Sequence, residues 1–515
     1  MNLLLFRVLI VSIVFCAGCA SLPDNDGIEK SYSLTASSQA LLSQLSESNL
    51  SSLSHDSGFI MMVDGVDAFI ARLALAHEAQ NSIDAQYYIW HDDLTGKVLL
   101  NELINAADRG VRVRLLVDDI NLSSARDKGV ALIATHPNIS VRVFNPFSRN
   151  SNRTLQLLTR YGDVTRRMHN KSFIADGRVS IIGGRNIGNE YFSANPLLEF
   201  GDLDVFAIGQ VVEQVASVFD LYWNSSLAYP IEALRSEKLS PETILEKREE
   251  LIRFVKSKQQ SPYASRAREA TLLTQLKENK LLFHSGEAEV FYDLPEKLVS
   301  DRSQTELHLS HNLSSHTLAV KDEMLIVTPY FVPGKEGIAY FKQLKNRGVD
   351  VKILTNSLAS TDVSIVHAGY KTSRKALLKA GVELYELKAN LAVAPSPDKR
   401  STGSSKASLH AKTFALDRQS LFVGSLNLDP RSFVENTEVG MLIHSPDIAN
   451  MLGELFDSKL PEISYQLTWD ERSNKILWKE SLGDRKKIYD YDPKTSWWLR
   501  RWVDFMSLFP IESQL

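Results

Sequence analysis

The sequence predicts an α/β protein made of two similar domains, each a mixed β-sheet flanked by helices. Three observations carry that expectation. The first is a motif, His169-Asn170-Lys171-Ser-Phe-Ile-Ala-Asp176 followed by Gly183-Gly184-Arg185-Asn186. It returns as His410-Ala411-Lys412-Thr-Phe-Ala-Leu-Asp417 followed by Gly424-Ser425-Leu426-Asn427, with His, Lys, Asp, Gly and Asn at identical offsets 241 residues on. The second is a strand–helix–strand unit ahead of each motif, whose helices end at Arg109-Gly110 and Arg347-Gly348, 238 residues apart. Two nearly equal offsets mean that whole domains are repeated. The third is alternation: apolar runs of strand length follow helix-period segments in both halves, the pattern of sheets covered by helices.

A chain of 515 residues is long enough for two or more domains with ample core. Its apolar content of 44% and charged content of 23% are ordinary for a globular protein. The net charge of -4 gives no global attraction to polyanions, so phosphate binding must be local. Residues 1–19 read as a targeting segment, with one basic residue, Arg7, and an apolar stretch, Val8 to Phe15, too short to span a bilayer. Cys16-Ala17-Gly18-Cys19-Ala20-Ser21 resembles a bacterial lipoprotein signal with Cys19 as the lipidated residue, although Cys16 departs from that pattern. Acylation of Cys19 would leave no cysteine for a disulfide. Ala20 after it favours, by analogy, a periplasm-facing lipoprotein of the outer membrane.

Residues 20–58 are rich in Ser and Leu and read as a tether with one short helix near Ser37 to Leu53. The first domain is expected over 59–225. Asp64 opens its first helix, running from Ala68 to Ala79; Ser82 to Trp90 is a strand, Thr95 to Asp108 a helix and Val111 to Val117 a strand. A charged helical linker is expected over 226–290 and the second domain over 291–465. There Glu323 to Phe331 is a strand, Lys335 to Asn346 a helix and Val349 to Thr355 a strand. Ala394 to Ser408 turns to Pro, Ser, Gly and Lys, either a mobile rim of a site or only a long connection. The extension 466–515 holds Trp497, Trp498 and Trp502 beside Arg500 and Arg501, which reads as an amphipathic helix at a membrane surface.

The repeated motif carries the chemistry. In extended chain, residues i and i+2 project from one face, so His169 can approach a bound group together with Lys171, as His410 can with Lys412. Ser172 to Ala175 and Val179 to Ile182 read as strands meeting at an Asp176-Gly177 turn, and the second copy turns at Asp417-Arg418-Gln419. His supplies a base or nucleophile near neutral pH; Lys supplies a point charge for an anionic oxygen. The pairing suits phosphate-ester chemistry. It suits a metal poorly, because an ammonium donates and cannot ligate, so neither a metal nor another cofactor is expected.

The paired motif resembles the phospholipase D superfamily, over about residues 60–460. The Tyr-Tyr-Ile-Trp strand (87–90), Gly-Gly-Arg-Asn-Ile-Gly (183–188), Asn-Leu-Asp-Pro-Arg-Ser-Phe (427–433) and the closing Pro-Ile-Glu-Ser-Gln-Leu make it most similar to the bacterial cardiolipin synthases of the C type. The resemblance implies two domains facing each other across a pseudo-two-fold axis with one shared active site. It implies two-step phosphatidyl transfer or phosphodiester hydrolysis without a metal. One neutral His attacks phosphorus and the other, protonated, gives a proton to the leaving alkoxide. By the superfamily's usual order His169 is the nucleophile and His410 the acid/base. Lys171 and Lys412 would hold non-bridging oxygens, and Asn186, Asn427 and Ser425 would add substrate contacts. A carboxylate should orient each His: Glu438 in the second half and, in the first, Asp204 in preference to Asp202. Asp176 and Asp417 belong to the motif, but beside strand turns their reading is more structural than catalytic. Gly184, where the repeat has Ser425, puts an equal division of work in doubt.

The resemblance further implies cardiolipin formation from phosphatidylglycerol and a second phospholipid, phosphatidylethanolamine in the C type, with phospholipase D hydrolysis to phosphatidic acid as the alternative. Seven basic residues between Arg149 and Arg178 would serve a nucleic-acid backbone as well as lipid headgroups. The lipoprotein-like start, the tryptophan cluster and the negative net charge favour a phospholipid substrate at a membrane surface over nucleic acid. A binding protein without turnover would not need two intact His–Lys pairs.

Overall fold

The computed structural model describes residues 22–25, 27–122, 132–195, 198–234, 240–278, 280–389, 406–483 and 485–509. The targeting segment with Cys19, and residues 394–405 of the loop before the second motif, lie outside the described residues. The first sheet is built on β1 (Ser57–Met62), β2 (Ser82–Tyr87), β3 (Arg112–Asp118), β4 (Ile139–Phe144), β5 (Ser172–Ala175), β6 (Val179–Gly183) and β8 (Asp204–Gly209). They lie in the order β1-β8-β6-β5-β2-β3-β4, and β9 (Ala228–Pro230) and β10 (His284–Ser285) extend the two edges.

The second sheet repeats that order. Its equivalents are β11 (Glu287–Tyr292), β18 (Val439–His444), β17 (Ser420–Gly424), β16 (Thr413–Leu416), β12 (Glu323–Val327), β13 (Asp350–Asn356) and β14 (Glu383–Leu387). In both sheets the last three pair parallel and the others antiparallel. Parallel neighbours need crossovers, here the helices Leu94–Asp108 and Gly334–Asn346. Beyond β14 the second sheet continues into β19 (Ser464–Asp470), β20 (Lys475–Leu482) and β21 (Arg485–Tyr489), so the C-terminal extension contributes strands before its helix.

Alternation along the strands decides what each face buries. Phe173 and Ala175 face the helical layer of the first domain, and Ile174 faces the other way. Met324 and Ile326 face the helical layer of the second domain, and Leu325 and Val327 turn inward. The inward faces of both sheets meet in one apolar layer with the helices Val211–Trp223 and Pro446–Glu454. The charged 226–290 segment is packed too. Leu251 and Leu272 are buried in the first domain's core, and β11 joins the second sheet from Glu287.

The tether is docked over part of its length. Arg114, buried against Asp84, donates to the carbonyl of Ser31 at 2.8 Å, and the Ser33 N–H donates to Asp220 at 2.8 Å. The Ala36 N–H reaches the Asp176 carbonyl at 2.8 Å. A helix forms over Leu41–Leu50.

The last motif residue explains itself at this level. Asp176 and Asp417 both sit at positive φ, 55° and 52°, a conformation Asp and Asn tolerate better than other side-chain-bearing residues. The Asp176 carboxylate accepts from the N–H groups of Gln80 (3.0 Å), Asn81 (2.7 Å) and Ser82 (3.0 Å). Asp417 accepts from Lys321, Asp322 and Glu323 at 3.0, 2.8 and 2.9 Å. Each pins the start of the strand paired with its own, β2 or β12, and neither side chain reaches the site described below. Asp176 is buried and the donors around Asp417 are mostly exposed. Asp176→Ala is therefore expected to cost about 2 kcal/mol, chiefly from the buried Ser82 N–H left unpaired. Asp417→Ala should cost clearly less, as read by denaturant unfolding of the two variants side by side.

Candidate active site

Each motif is anchored by the opposite domain. The His169 N–H donates to the Thr437 carbonyl at 2.8 Å, and the Thr437 N–H to that of Arg167 at 2.9 Å. In the pseudo-symmetric place β15 (Lys406–Leu409) pairs parallel with β7 (Leu198–Gly201). There the N–H groups of His410 and Ala411 donate to the Gly201 carbonyl at 2.8 and 2.9 Å. The segment entering each motif strand thus lies beside the segment that carries the other domain's carboxylate.

That pairing crosses the carboxylates over. His169 Nδ1 lies 2.8 Å from Glu438 Oε2, and His410 Nδ1 lies 2.6 Å from Asp202 Oδ2. All four residues are buried. Glu438 is the carboxylate in contact with His169, the histidine of the other half. The preference for Asp204 is overturned. In the ladders Gly183 pairs with Asp204 and Gly424 with Gly440, so the residue equivalent to Glu438, two earlier, is Asp202. Asp204 is instead paired with the buried Arg72 at 2.8 Å.

Gly184 also finds its reason here. A Cβ at that position would lie 2.1 Å from Asp202 Oδ1, so the backbone must be bare for the carboxylate to reach His410. The second half accommodates Ser425, but its hydroxyl donates to the Val439 carbonyl at 3.2 Å and accepts from the Val439 N–H at 3.0 Å. The expected substrate contact from Ser425 is therefore corrected: the side chain fixes the strand that follows Glu438. Asn186 accepts from the Ile89 N–H (3.2 Å) and donates to the Tyr191 hydroxyl (3.0 Å). Buried Asn427 has an Oδ1 with no hydrogen-bond partner among the described residues.

The lysines lie as the i, i+2 spacing predicts. Lys171 Nζ donates to the His169 carbonyl, and Lys412 Nζ donates to that of His410 at 2.5 Å while lying 3.3 Å from His410 Nε2. Two aromatic walls were not foreseen as site residues. Tyr88 meets the His169 ring edge-on at 4.8 Å between centroids, and Tyr191 meets that of His410 at 5.2 Å. Tyr88 directly follows β2, at the carboxyl end of a parallel strand where α/β sheets bind ligands. That placement is the signal that could have found it.

Burial and charge set the protonation states. Burial, then Lys171, Lys412 and His410, hold the His169 pKa well below the usual imidazole value. The second motif thus acts directly on the first, which places both histidines in one electrostatic neighbourhood. His410 is lowered as well, first by burial and then by Lys412, but Asp202 works in the opposite direction. Burial alone would raise Asp202; His410, Lys412 and Arg185 outweigh it and keep this carboxylate ionised, below the ordinary range. Glu438 is pushed up to about 7 by burial, against the pull of Lys171. Burial also lowers both lysines, Lys171 strongly. The pseudo-symmetric halves are electrostatically unequal, with the stronger anion beside His410.

A duplicated α/β domain whose two His-x-Lys motifs meet at one site defines the phospholipase D class of enzymes. Within that class the chain belongs to the family described as "Cardiolipin synthase, PLD-like domain", which matches residues 73–223 and 316–460. It is 39% identical to cardiolipin synthase C of Escherichia coli over 88% of this chain and 95% of that protein. It is 26% identical to the major cardiolipin synthase of Bacillus subtilis over 87% of this chain and 79% of that protein. Among solved structures, phosphatidylserine synthase of Haemophilus influenzae shares the fold with a TM-score of 0.56 at 13% identity, covering 92% of this chain and 99% of that one.

Proposed function

We propose that this phosphatidyltransferase forms cardiolipin, with phosphatidylglycerol as acceptor and a second phospholipid, phosphatidylethanolamine, as donor. The observation that carries the reading is the likeness to cardiolipin synthase C over 95% of that protein, together with both His–Lys pairs in place. Neutral His169 attacks the donor phosphorus through Nε2, because Nδ1 is held by Glu438. The bond from phosphorus to the headgroup oxygen breaks, and the His410 imidazolium gives that oxygen its proton, so ethanolamine leaves as a neutral alcohol group. His410, now neutral, takes the proton of a phosphatidylglycerol hydroxyl. The resulting alkoxide displaces His169 from phosphorus and cardiolipin departs. Lys171, Lys412 and Asn427 stabilise the charge that builds on the non-bridging oxygens. The inequality of the carboxylates supports this division: both imidazoles are lowered, but ionised Asp202 makes His410 the easier of the two to protonate.

Incubating the purified protein with labelled phosphatidylglycerol and phosphatidylethanolamine in mixed vesicles tests the reading. Cardiolipin with release of ethanolamine is the expected product pair. Phosphatidic acid in its place would make the enzyme a hydrolase. Cleaved oligonucleotide would make it a nuclease. Against the last, arginines between 149 and 178 are engaged in structure: Arg149 with Asp119 (2.6 Å), Arg167 with Asp118 (2.8 Å) and Arg166 with Glu435 (3.2 Å).

The same proposal places the enzyme on a membrane surface. Ser496 caps the helix Trp497–Met506, and Leu499, Val503 and Met506 pack it against Leu358 and Ala368. The adjoining stripe at i, i+4 and i+7 faces outward, with Trp498 77%, Trp502 54% and Phe505 51% exposed. No helix among the described residues is long and apolar enough to cross a membrane, so the reading is a helix lying on the bilayer, held beside an acylated Cys19. Trp498→Ser with Trp502→Ser should weaken sedimentation with anionic vesicles at least about tenfold, from the lost apolar contact. Turnover of a short-chain soluble donor should be unchanged.

A further inference from the structure

A second cluster of imidazoles lies outside the catalytic cleft, at the outer edge of the second sheet. Glu289 stands on the edge strand β11 and His444 is the last residue of β18. Glu287 pairs with His444 and Glu289 with Leu442, so Glu289 and His444 are diagonal neighbours on one face of the ladder. His316, near the end of the helix Leu309–Leu318, comes down onto the same spot. His444 Nε2 is 3.2 Å from Glu289 Oε1, and His316 Nε2 is 3.7 Å from that same oxygen. All three donor atoms lie within 4.8 Å of one another.

We propose that Glu289, His316 and His444 form a zinc(II) site. Zinc binds imidazole nitrogen and carboxylate oxygen at about 2.0–2.2 Å in tetrahedral geometry, which places neighbouring donors about 3.3–3.5 Å apart. The two nitrogen–oxygen separations, 3.2 and 3.7 Å, bracket that edge. Two nitrogen donors favour zinc over calcium or magnesium, and three protein ligands leave the fourth position to water. The surroundings of the ligands match as well. Ser420 Oγ lies 2.8 Å from His444 Nδ1. With zinc on Nε2, Nδ1 carries the proton and donates to that hydroxyl, the arrangement that orients a ligating histidine. Phe291 meets the His316 ring edge-on at 5.4 Å. The ion ties the helix Leu309–Leu318 to the edge of the sheet and has no part in the transfer reaction. The other His-and-carboxylate cluster among the described residues, His91, Asp93 and Glu190, is a poorer candidate: Asp93 already accepts from Gly96 and Asn189 as a helix cap.

The test uses the full-length protein, freed of metal by chelation and carrying His91→Ala to silence that second cluster. Titration with zinc is expected to fill one site per chain and to raise the unfolding midpoint. Cobalt(II) in its place should show the intense visible bands of a tetrahedral ion. His316→Ala or His444→Ala should abolish the stoichiometric site, and Ser420→Ala should weaken it roughly tenfold or more. Because removing an imidazole also removes its packing, such as the Phe291–His316 ring contact, Glu289→Gln provides an exposed, nearly isosteric check, for which weakened binding at an unchanged metal-free midpoint is expected. No zinc uptake at all, or uptake undiminished in the His316→Ala, His444→Ala double variant, would overturn the assignment.

Discussion

Replacing His169 or His410 with asparagine is expected to lower turnover of phosphatidylglycerol and donor lipid by about 10⁴-fold or more, the scale of losing one member of a concerted nucleophile–base unit. The two losses should look alike with natural lipid and separate with a donor whose leaving group needs no proton. With a p-nitrophenyl phosphodiester, His410→Asn should still give a burst of p-nitrophenol and an acid-labile, base-stable adduct on His169. His169→Asn should give neither. The expectation follows from the geometry around the rings: each Nδ1 is held by a carboxylate, leaving each Nε2 toward the reacting phosphorus. It follows also from the charge, since only His410 has an anion held below the ordinary carboxylate range beside it. A burst in His169→Asn and none in His410→Asn would exchange the two roles.

Much of this was legible before any coordinates because the fold is duplicated. Two strand pairs around Asp176 and Asp417 could be read from a two-residue period, and the nearly equal offsets of Gly110 and Gly348 and of the two motifs required two like domains. The seven-strand order common to both sheets is what that periodicity reports. What escaped was whatever depends on contact between the halves. Matching Glu438-Val439 to Asp204-Val205 puts the carboxylate on the wrong residue, and the motif offset cannot correct it, because Glu438 lies 28 residues after His410 and Asp202 lies 33 after His169. Only the ladder pairs Gly183 with Asp204 and Gly424 with Gly440. That Glu438 serves His169 and Asp202 serves His410 is not a property of either repeat.

Other features were hidden because polar composition disguises buried structure. The segment 226–290 is charged on its exposed side, yet Leu251 and Leu272 fix it to the first core. The strands beyond β14 hide in the expected extension: Lys, Glu and Arg punctuate β20 and β21, and β19 mixes Ser, Gln, Thr and Asp with its apolar residues. Their burial is uneven, and only residues such as Tyr465, Leu467 and Trp478 reach the core. The strand expected to run from Glu323 to Phe331 ends at Val327, ahead of Pro329, which has no N–H for the ladder. Glu289, His316 and His444 come together from three separate elements, and no spacing in the chain announces them.

The crossed carboxylates should leave their mark on the pH profile. Glu438 is pushed up to about 7, so in the free enzyme it is protonated below that pH and ionised above it. Only the ionised form favours the positive charge that grows on His169 as it attacks. With the p-nitrophenyl phosphodiester, whose leaving group needs no proton from His410, kcat/KM should therefore climb as pH rises through about 7, since that parameter reports groups of the free enzyme. Glu438→Gln should remove this acidic limb and lower the rate by about 10²–10⁴-fold, as expected when a histidine loses its orienting acid. Asp202 stays ionised across the whole range, so Asp202→Asn should leave the acidic limb in place. Its effect falls on His410 instead: without the neighbouring anion the imidazolium is less stable and the His410 pKa drops. With natural lipid the alkaline limb, where the proton donor is lost, should then begin at lower pH than in the parent enzyme. An acidic limb that persists in Glu438→Gln, or an alkaline limb unmoved in Asp202→Asn, would separate these carboxylates from the histidines they touch. The crossing of the two domains would then be architecture without a part in proton transfer.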